Sequence, residues 1–573
     1  MRVFSQFLRF LTLSAAIFTT AVGFGQSLSS IQGQVTDPSG AAVPGASVTV
    51  TNTATGVSQS TTTDSSGNYL VPALQIGNYD VTAQSSGLEK VLSHGVIVQV
   101  GRNTVQNFQL KVAQASETVT VSAEAPVIEA STQTVGQVIN QKTVQEIPLN
   151  GRHFLDLGLL VPGSVVPPAN GFLTAPLRGQ GSFGLNTAGN REDENNIMVN
   201  GINLNDMANG QLTFQPSINT VSEFKIDNSS YSADEGRNSG SIVQIATRSG
   251  TNAFHGEVFD FLRNDFFDAR NFFNKKTTSS GAPNQMSPFK RNNFGAALGG
   301  PIWKNKTFFF GSYEGLRQRQ GLPVQTTVLS NTCTPVAPAT SCLTEVQQAA
   351  ASADPTTKKL AALIPAANNG ANGFLGSAVA PVNIDQWTGD IQHNLRDSDR
   401  LHGYYAFQKD LRKEPTLQGN NLPGFGDTRA SHRQIFTFAE THMFSPAVVN
   451  EFRTGFNRIH ITFVADSHDD PAAFGFNTGN PGPVGLPAIS ITSTGLRFGG
   501  INGFPQGRGD LTTVYSDTLS WLRGKHSFKF GGEYRRVYDN SFGQTPGTIT
   551  YADVPSFISG TITGFTTTLG NTA

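Results

Sequence analysis

The sequence has little of what most function classes need. Only two cysteines occur in 573 residues, Cys333 and Cys342. That number is too small for a cysteine-rich metal module or a disulfide-dense scaffold. No two histidines lie within four positions of each other, so the HExxH metal pair is absent. There is no CxxC, no GxSxG elbow and no phosphate-binding loop. The run Glu192, Asp193, Glu194 has the look of a solvated loop rather than a metal site. The chain is therefore read as a non-enzyme with no cofactor. An excess of charge of one sign is also missing. The formal net charge is −1, and no basic cluster interleaves with aromatics, so nucleic acid is not an expected partner. Beyond the N-terminus, no stretch approaches the roughly 18 apolar residues of a membrane helix.

What is present is glycine (60) and phenylalanine (41). Many short strands joined by glycine-rich turns produce that balance. The first 25 residues are expected to be a secretory signal. Arg2 and Arg9 supply positive charge, 10–24 are mostly apolar and small, and cleavage near 23–26 fits. An exported chain with amphipathic strands and no membrane helix leaves two possibilities, a membrane barrel or a soluble β-protein.

The stretch 231–264 divides the chain. Before it come short strands and turns; after it come long amphipathic strands. In residues 28–112, turns at Asp37-Pro38-Ser39-Gly40 and Pro44-Gly45 punctuate strands every eight to twelve residues, which predicts a β-sandwich. Gly33-x-Val35-x-Asp37, Val43-Pro44-Gly45-Ala46, Thr63-Asp64 through Gly67-x-Tyr69, and Gly77-x-Tyr79 resemble the carboxypeptidase regulatory-like domain. That resemblance implies a transthyretin-like sandwich in the carbohydrate-binding-like fold class, without peptidase chemistry.

Residues 113–125 form a linker around Glu117, Thr118, Val119, Thr120, Val121, Ser122 and Ala123. Their β-branched alternation suits addition to a sheet edge. Taken alone, they are either the last strand of the sandwich or a detached motif. Residues 126–250 hold a short helix before Pro148, a helix-like stretch over 152–160 ended by Pro162-Gly163, and a hairpin at Asn200-Gly201. Here Ile147-Pro148-Leu149-Asn150-Gly151-Arg152, Val199-Asn200-Gly201, Glu223-Phe224-Lys225, Tyr231-Ser232-Ala233, Gly236-Arg237 and Arg248-Ser249-Gly250-Thr251-Asn252 resemble the plug of TonB-dependent receptors, in the Oar-like branch. Asp234-Glu235 and Ser241-Ile242 depart mildly from that pattern. The resemblance implies that 117–123 is a TonB box, paired strand to strand with the periplasmic domain of TonB. It also implies a Gram-negative outer-membrane protein with a periplasmic N-terminal domain.

Residues 251–573 alternate apolar and polar side chains. Phe294, Ala296 and Leu298 share one face of a strand; Val448, Phe452 and Phe456 oppose Glu451, Arg453 and Asn457; Phe528, Phe530 and Tyr534 oppose Lys529, Glu533 and Arg535. Short connections (300–306, 394–399, 445–446, 523–525) alternate with long ones (264–288, 320–383, 410–431, 465–509). Both features predict strands with apolar groups to outer-membrane lipid and polar groups to a lumen. Trp303, Phe308-Phe309-Phe310, Tyr404-Tyr405 and Trp521 suit interfacial girdles. About nine strands are counted, against about 22 needed to enclose a plug, so a fragment with a curved, unclosed wall is expected. Cys333 and Cys342 sit in the longest loop and are expected to form a local disulfide in an oxidising compartment.

The predicted fold class is mainly β: an N-terminal β-sandwich, a small α/β plug and a partial transmembrane antiparallel β-barrel. The predicted function is energy-coupled uptake of an unknown small ligand, a siderophore, oligosaccharide or peptide. The alternative is an outer-membrane binding or adhesion protein that does not transport.

Overall fold

The computed structural model describes residues 29–567, apart from 113–117, 123–133, 166–184, 207–209, 211, 214, 233–234, 237, 271–285, 336–341, 417–418, 446, 468, 477–484, 502 and 524–525. The expected signal segment, 1–25, lies outside the described residues.

The N-terminal unit is built from β1 (Ser30–Thr36), β2 (Ser47–Asn52), β3 (Ser58–Thr62), β4 (Asn68–Val71), β5 (Gly77–Gln84), β6 (Lys90–Val98), β7 (Asn103–Val105), β8 (Phe108–Gln109) and β9 (Thr118–Ser122). One sheet runs β4-β1-β7, with β8 also on β1; the other runs β3-β2-β5-β6-β9. Every second residue of β2 and β5 is buried. The two inner faces meet in a dry core that includes Ile31, Val48, Val81 and Tyr69. This is the period-two pattern of a sandwich.

The second unit contains β10 (Val135–Ile139), α1 (Gln141–Glu146), β11 (Ser164–Val165), β12 (Asn186–Thr187), β13 (Asn196–Val199), β14 (Ile202–Asn203), β15 (Val221–Ser229) and β16 (Ile242–Thr247). Its five-stranded sheet is ordered β10-β15-β16-β13-β14. Asn140 caps α1, its side chain accepting from Thr143 N–H at 3.0 Å. The helix-like stretch after Arg152 is a 3₁₀ helix, Phe154–Leu160, rather than an α-helix. Gly158 lets it lie close to its neighbours, because a Cβ there would come within 2.5 Å of Leu185. Asn200 and Gly201, with φ of 47° and 83°, turn the β13–β14 hairpin as their sequence predicts.

The third unit is a wall of nine antiparallel strands: β17 (His255–Asn264), β18 (Phe289–Trp303), β19 (Thr307–Thr327), β22 (Gly373–Arg396), β23 (Asp399–Glu414), β24 (Asp427–Ser445), β25 (Val448–Ala465), β28 (Gln506–Arg523) and β29 (His526–Gly543). Between these lie the short pairs β20 (Cys333–Pro335) with β21 (Cys342–Thr344) and β26 (Ala488–Ile491) with β27 (Leu496–Gly499); β30 (Thr548–Tyr551) and β31 (Gly564–Thr566) follow. The sheet is open between β17 and β29. Its outward residues are apolar: Leu298, Phe452, Phe530 and Tyr534 are exposed, while Asn293, Glu451 and Asn457 on the other face are buried.

Two expectations about the wall change. The strands are longer than predicted, 21 residues in β19 and 24 in β22. A bilayer needs only about 9–11 tilted residues, so these strands stand well clear of it at the long-connection end. The connections there are also not bare loops. β26, β27, β30 and β31 form one four-stranded sheet. With α2 (Glu345–Ala350), α3 (Pro355–Ala361) and α4 (Val554–Ile558), they enclose a common core that includes Leu360, Leu422, Phe498 and Phe557. The aromatic girdle is corrected as well. Phe308, Phe310 and Tyr404 point inward and are buried, while Trp303 and Tyr405 face outward. Strand alternation forces neighbours in a sequence such as Tyr404-Tyr405 onto opposite faces. An outer-face row that the sequence reading missed is formed by Phe294, Tyr313, Trp387 and Phe407 on four adjacent strands, with neighbouring ring centroids 5.5–6.1 Å apart.

Candidate functional site: the seam between plug and wall

The second unit sits in the concavity of the wall. Its core includes Phe154, Phe224 and Ile245 and is continuous with Tyr404, Ala406 and Ile435 of the wall. Around that small apolar contact the seam is polar. Arg152 pairs with Glu314 of β19 at 3.3 Å and donates to Asn219 at 2.7 Å. Its guanidinium also lies over Phe259 and Phe261 of β17, at 4.6 and 4.4 Å from the ring centroids. Ser217 N–H donates to Gln386 at 2.6 Å, and Gln386 donates to Gln215 O at 2.8 Å. Asp390 accepts from Thr247 at 3.0 Å and Ser249 at 2.8 Å, and lies 2.7 Å from His402. Asn457 donates to Asn205 O at 3.1 Å. Arg508 bridges Asp206 of the plug and Asp510 of its own strand, and Arg433 donates to Thr213 O.

The asparagines of 195–205 explain why the plug hairpin is so polar. Asn203 donates to Asn196 at 2.7 Å and to Asn205 at 3.0 Å; Asn205 donates to Asn195 O at 2.9 Å and accepts from Ile197 N–H at 2.8 Å. Buried amides stay in a core only when partnered in this way. In and beside the seam, Arg412, Arg429 and Arg433 are among the most buried side chains of the protein. Each has an acidic neighbour: Glu414 at 3.7 Å, Asp427 at 2.5 Å and Asp410 at 3.3 Å respectively. Buried charges persist only with such pairing.

The sequence showed the alternation that creates these polar faces but not which partners meet. Gln386, Asp390 and Gln392 of β22 are two or four positions apart and all face inward. That spacing was the available signal.

The seven residues singled out between the first two units lie elsewhere. Thr118–Ser122 is the outermost strand of the sandwich sheet, parallel to β6, with Lys90 opposite Thr118 and His94 opposite Ser122. Glu117 and Ala123 lie outside the described residues. Cys333 and Cys342 flank the β20–β21 hairpin as a bonded pair with Cα atoms 5.3 Å apart. Asp193 and Glu194 lie 3.6 and 3.7 Å from Arg191. Among the described residues, one group of three brings possible ligand atoms within 4.8 Å of one another: Asp399, Glu440 and His442 at the short-turn end of β23 and β24, with His442 Nδ1 2.5 Å from Asp399.

Residues 246–572 match the model of the outer membrane beta barrel domain. The chain belongs to that family. It is accordingly an outer-membrane protein, with the short turns on the periplasmic side and the long connections outside. Residues 30–111 match the carboxypeptidase regulatory-like domain. The chain is 28% identical over 312 residues to the TonB-dependent transporter Oar of Myxococcus xanthus. That match covers 52% of this chain and 28% of the relative's length. Among solved structures, the outer membrane transporter YddB of Escherichia coli aligns with TM-score 0.47 and 12% identity, over 73% of this chain and 50% of that one. The siderophore receptor PiuA of Acinetobacter baumannii aligns with TM-score 0.35 and 10% identity, over 74% and 66%.

Proposed function

We propose that this outer-membrane protein acts in TonB-dependent, energy-coupled uptake of a scarce small ligand. The observation that carries the reading is the largely polar seam between the plug and the wall. A plug locked by a greasy interface would be fixed. One held mainly by hydrogen bonds and a few ion pairs exchanges each neutral contact for water at a net cost of about 1 kcal/mol and each charged one at about 1.5–3 kcal/mol, so a directed pull can move it one contact at a time. In this reading the ligand, a siderophore, oligosaccharide or peptide, is bound by the extracellular connections and plug apices. Residues 117–123 are the TonB box, and they pair with TonB by strand addition. The resting place of Thr118–Ser122, an edge strand bonded through its backbone, is compatible with exchange of one strand partner for another.

The test is binding of the isolated periplasmic domain of TonB to the full chain. Substituting Val119→Pro and Val121→Pro removes backbone donors from the ladder and is expected to abolish that binding. Retention of binding would overturn the assignment of the box. A second reading, an outer-membrane binding or adhesion protein, is favoured by the folded extracellular platform with its own core. It requires no TonB, so ligand or surface binding in a TonB-deficient cell separates the two.

A further inference from the structure

The sandwich is seated on the periplasmic end of the plug and wall chiefly through the backbones of two of its loops, with Gln59 of β3 also facing Arg400 of β23. Val100 N–H donates to the buried Glu223 carboxylate, and Lys225 Nζ donates to Gly101 O at 2.9 Å. Asn252 N–H donates to Ala54 O at 3.0 Å, and its side chain donates to Thr55 O at 2.7 Å. The loop tips are glycines in left-handed conformations, and they fit tightly. A Cβ on Gly101 (φ 60°) would lie 2.4 Å from Gln244 Oε1; one on Gly56 (φ 71°) would lie 2.8 Å from Asn305 Oδ1. Only glycine takes such backbone without strain while approaching so closely.

Behind this contact is a chamber of about 630 Å³ with walls from all three units: Leu74 and Gly77 of the sandwich, Thr247 and Ser249 of the plug, His402 and Ala439 of the wall. The sandwich core is complete without the other units, since its members all lie between Ile31 and Leu110. On leaving, the sandwich keeps that core together and bares only its chamber side, where Leu74 lies, and the hydrogen bonds it gives up are ones that water can replace.

We infer that the N-terminal sandwich is a removable cap, docked by these two loops on Glu223, Lys225 and Asn252, which closes the chamber on the periplasmic side. The inference goes beyond the proposed uptake and does not need 117–123 to be a TonB box. In it, the exit path has two barriers in series, the plug and the cap.

Two measurements on the full chain in outer membranes test it. The pair Gly101→Cys with Gln244→Cys is expected to bridge spontaneously, faster than the control pair Gly87→Cys with Gln244→Cys; Gly56→Cys with Asn305→Cys gives an independent bridge at the other loop. Separately, a thiol reporter at Ala439→Cys is exposed to a polyethylene-glycol maleimide from the periplasmic side, with the reporter-free chain as blank. Wedging the cap with Gly101→Trp, or removing the side-chain bond to Thr55 O with Asn252→Ala, which leaves the sandwich unaltered, is expected to speed labelling about tenfold, corresponding to roughly 1.4 kcal/mol of docking lost. Bridging no faster than the control at both loops overturns the docking. Labelling unchanged by both substitutions overturns the capping.

Discussion

The sandwich and the plug–wall seam are held by opposite means. In the sandwich, Ile31, Val48, Val81 and Ala83 are fully buried in an apolar core. In the seam, Glu314, Gln386, Asp390, Asn457 and Arg508 of the wall meet Arg152, Ser217, Thr247, Asn205 and Asp206 of the plug. Apolar burial is non-directional and proportional to area, so it makes a unit that stays whole under load. Hydrogen bonds and ion pairs are directional and exchangeable with water, so they fix a position without making it permanent. The difference separates parts that remain folded from parts that can move.

The largest expected effect comes from destroying the dry region. Val81→Asp puts an unpaired charge into the sandwich core and is expected to cost about 5 kcal/mol. Protease should then cut within 29–112 while the wall keeps its melting temperature. Next comes the seam. Asp206→Ala takes from the buried Arg508 the acid that the plug supplies, leaving it only acids of the wall, and is expected to cost about 3 kcal/mol. Here the plug should become protease-sensitive and the sandwich should not; the reverse result would break the comparison.

A pH effect follows at the joint between the two regions. Burial pushes the Glu223 carboxyl up to about 7, with Val100 N–H and the Arg102 charge pulling it back; Lys225 and Asp227 lie on the same strand. A raised pKa means the docked state holds a proton that the released state gives up. Docking is then strongest below about pH 4.5 and weakens up to about pH 7, by at most roughly 3 kcal/mol, with no further change above. Glu223→Gln keeps an acceptor for Val100 N–H and should flatten that profile in the labelling assay. The smallest effect is at the plug hairpin. Asn200→Ala places alanine at φ 47° and is expected to cost about 1 kcal/mol, read as a lower urea midpoint for the plug alone.

Legibility in the sequence followed the range of the forces involved. Local signals were clear: the Asn200-Gly201 turn, the short helix before Pro148, and the alternation of Val448, Phe452 and Phe456 against Glu451, Arg453 and Asn457 all matched. Side chains whose face depends on strand register were misplaced when neighbours were grouped together, as with Tyr404 and Tyr405. The connections at the extracellular end looked featureless because their apolar residues are shared out. Leu360, Leu422, Phe498 and Phe557 come from four separate stretches, and none shows a periodic pattern of its own. For Thr118–Ser122, the sequence supplied a strand ready to join a sheet, and its pairing with β6 is decided by proximity in the fold.

By itself, the sequence determined the mainly β class, the outward-apolar wall and the sandwich, because period-two patterning and turn chemistry act between residues a few positions apart. Only the tertiary structure decided which polar groups meet across the seam, what covers the periplasmic chamber and how the outer connections share a core. Those outcomes depend on contacts between residues as distant as Asp206 and Arg508, where pairing is set by the assembled geometry and not by spacing along the chain.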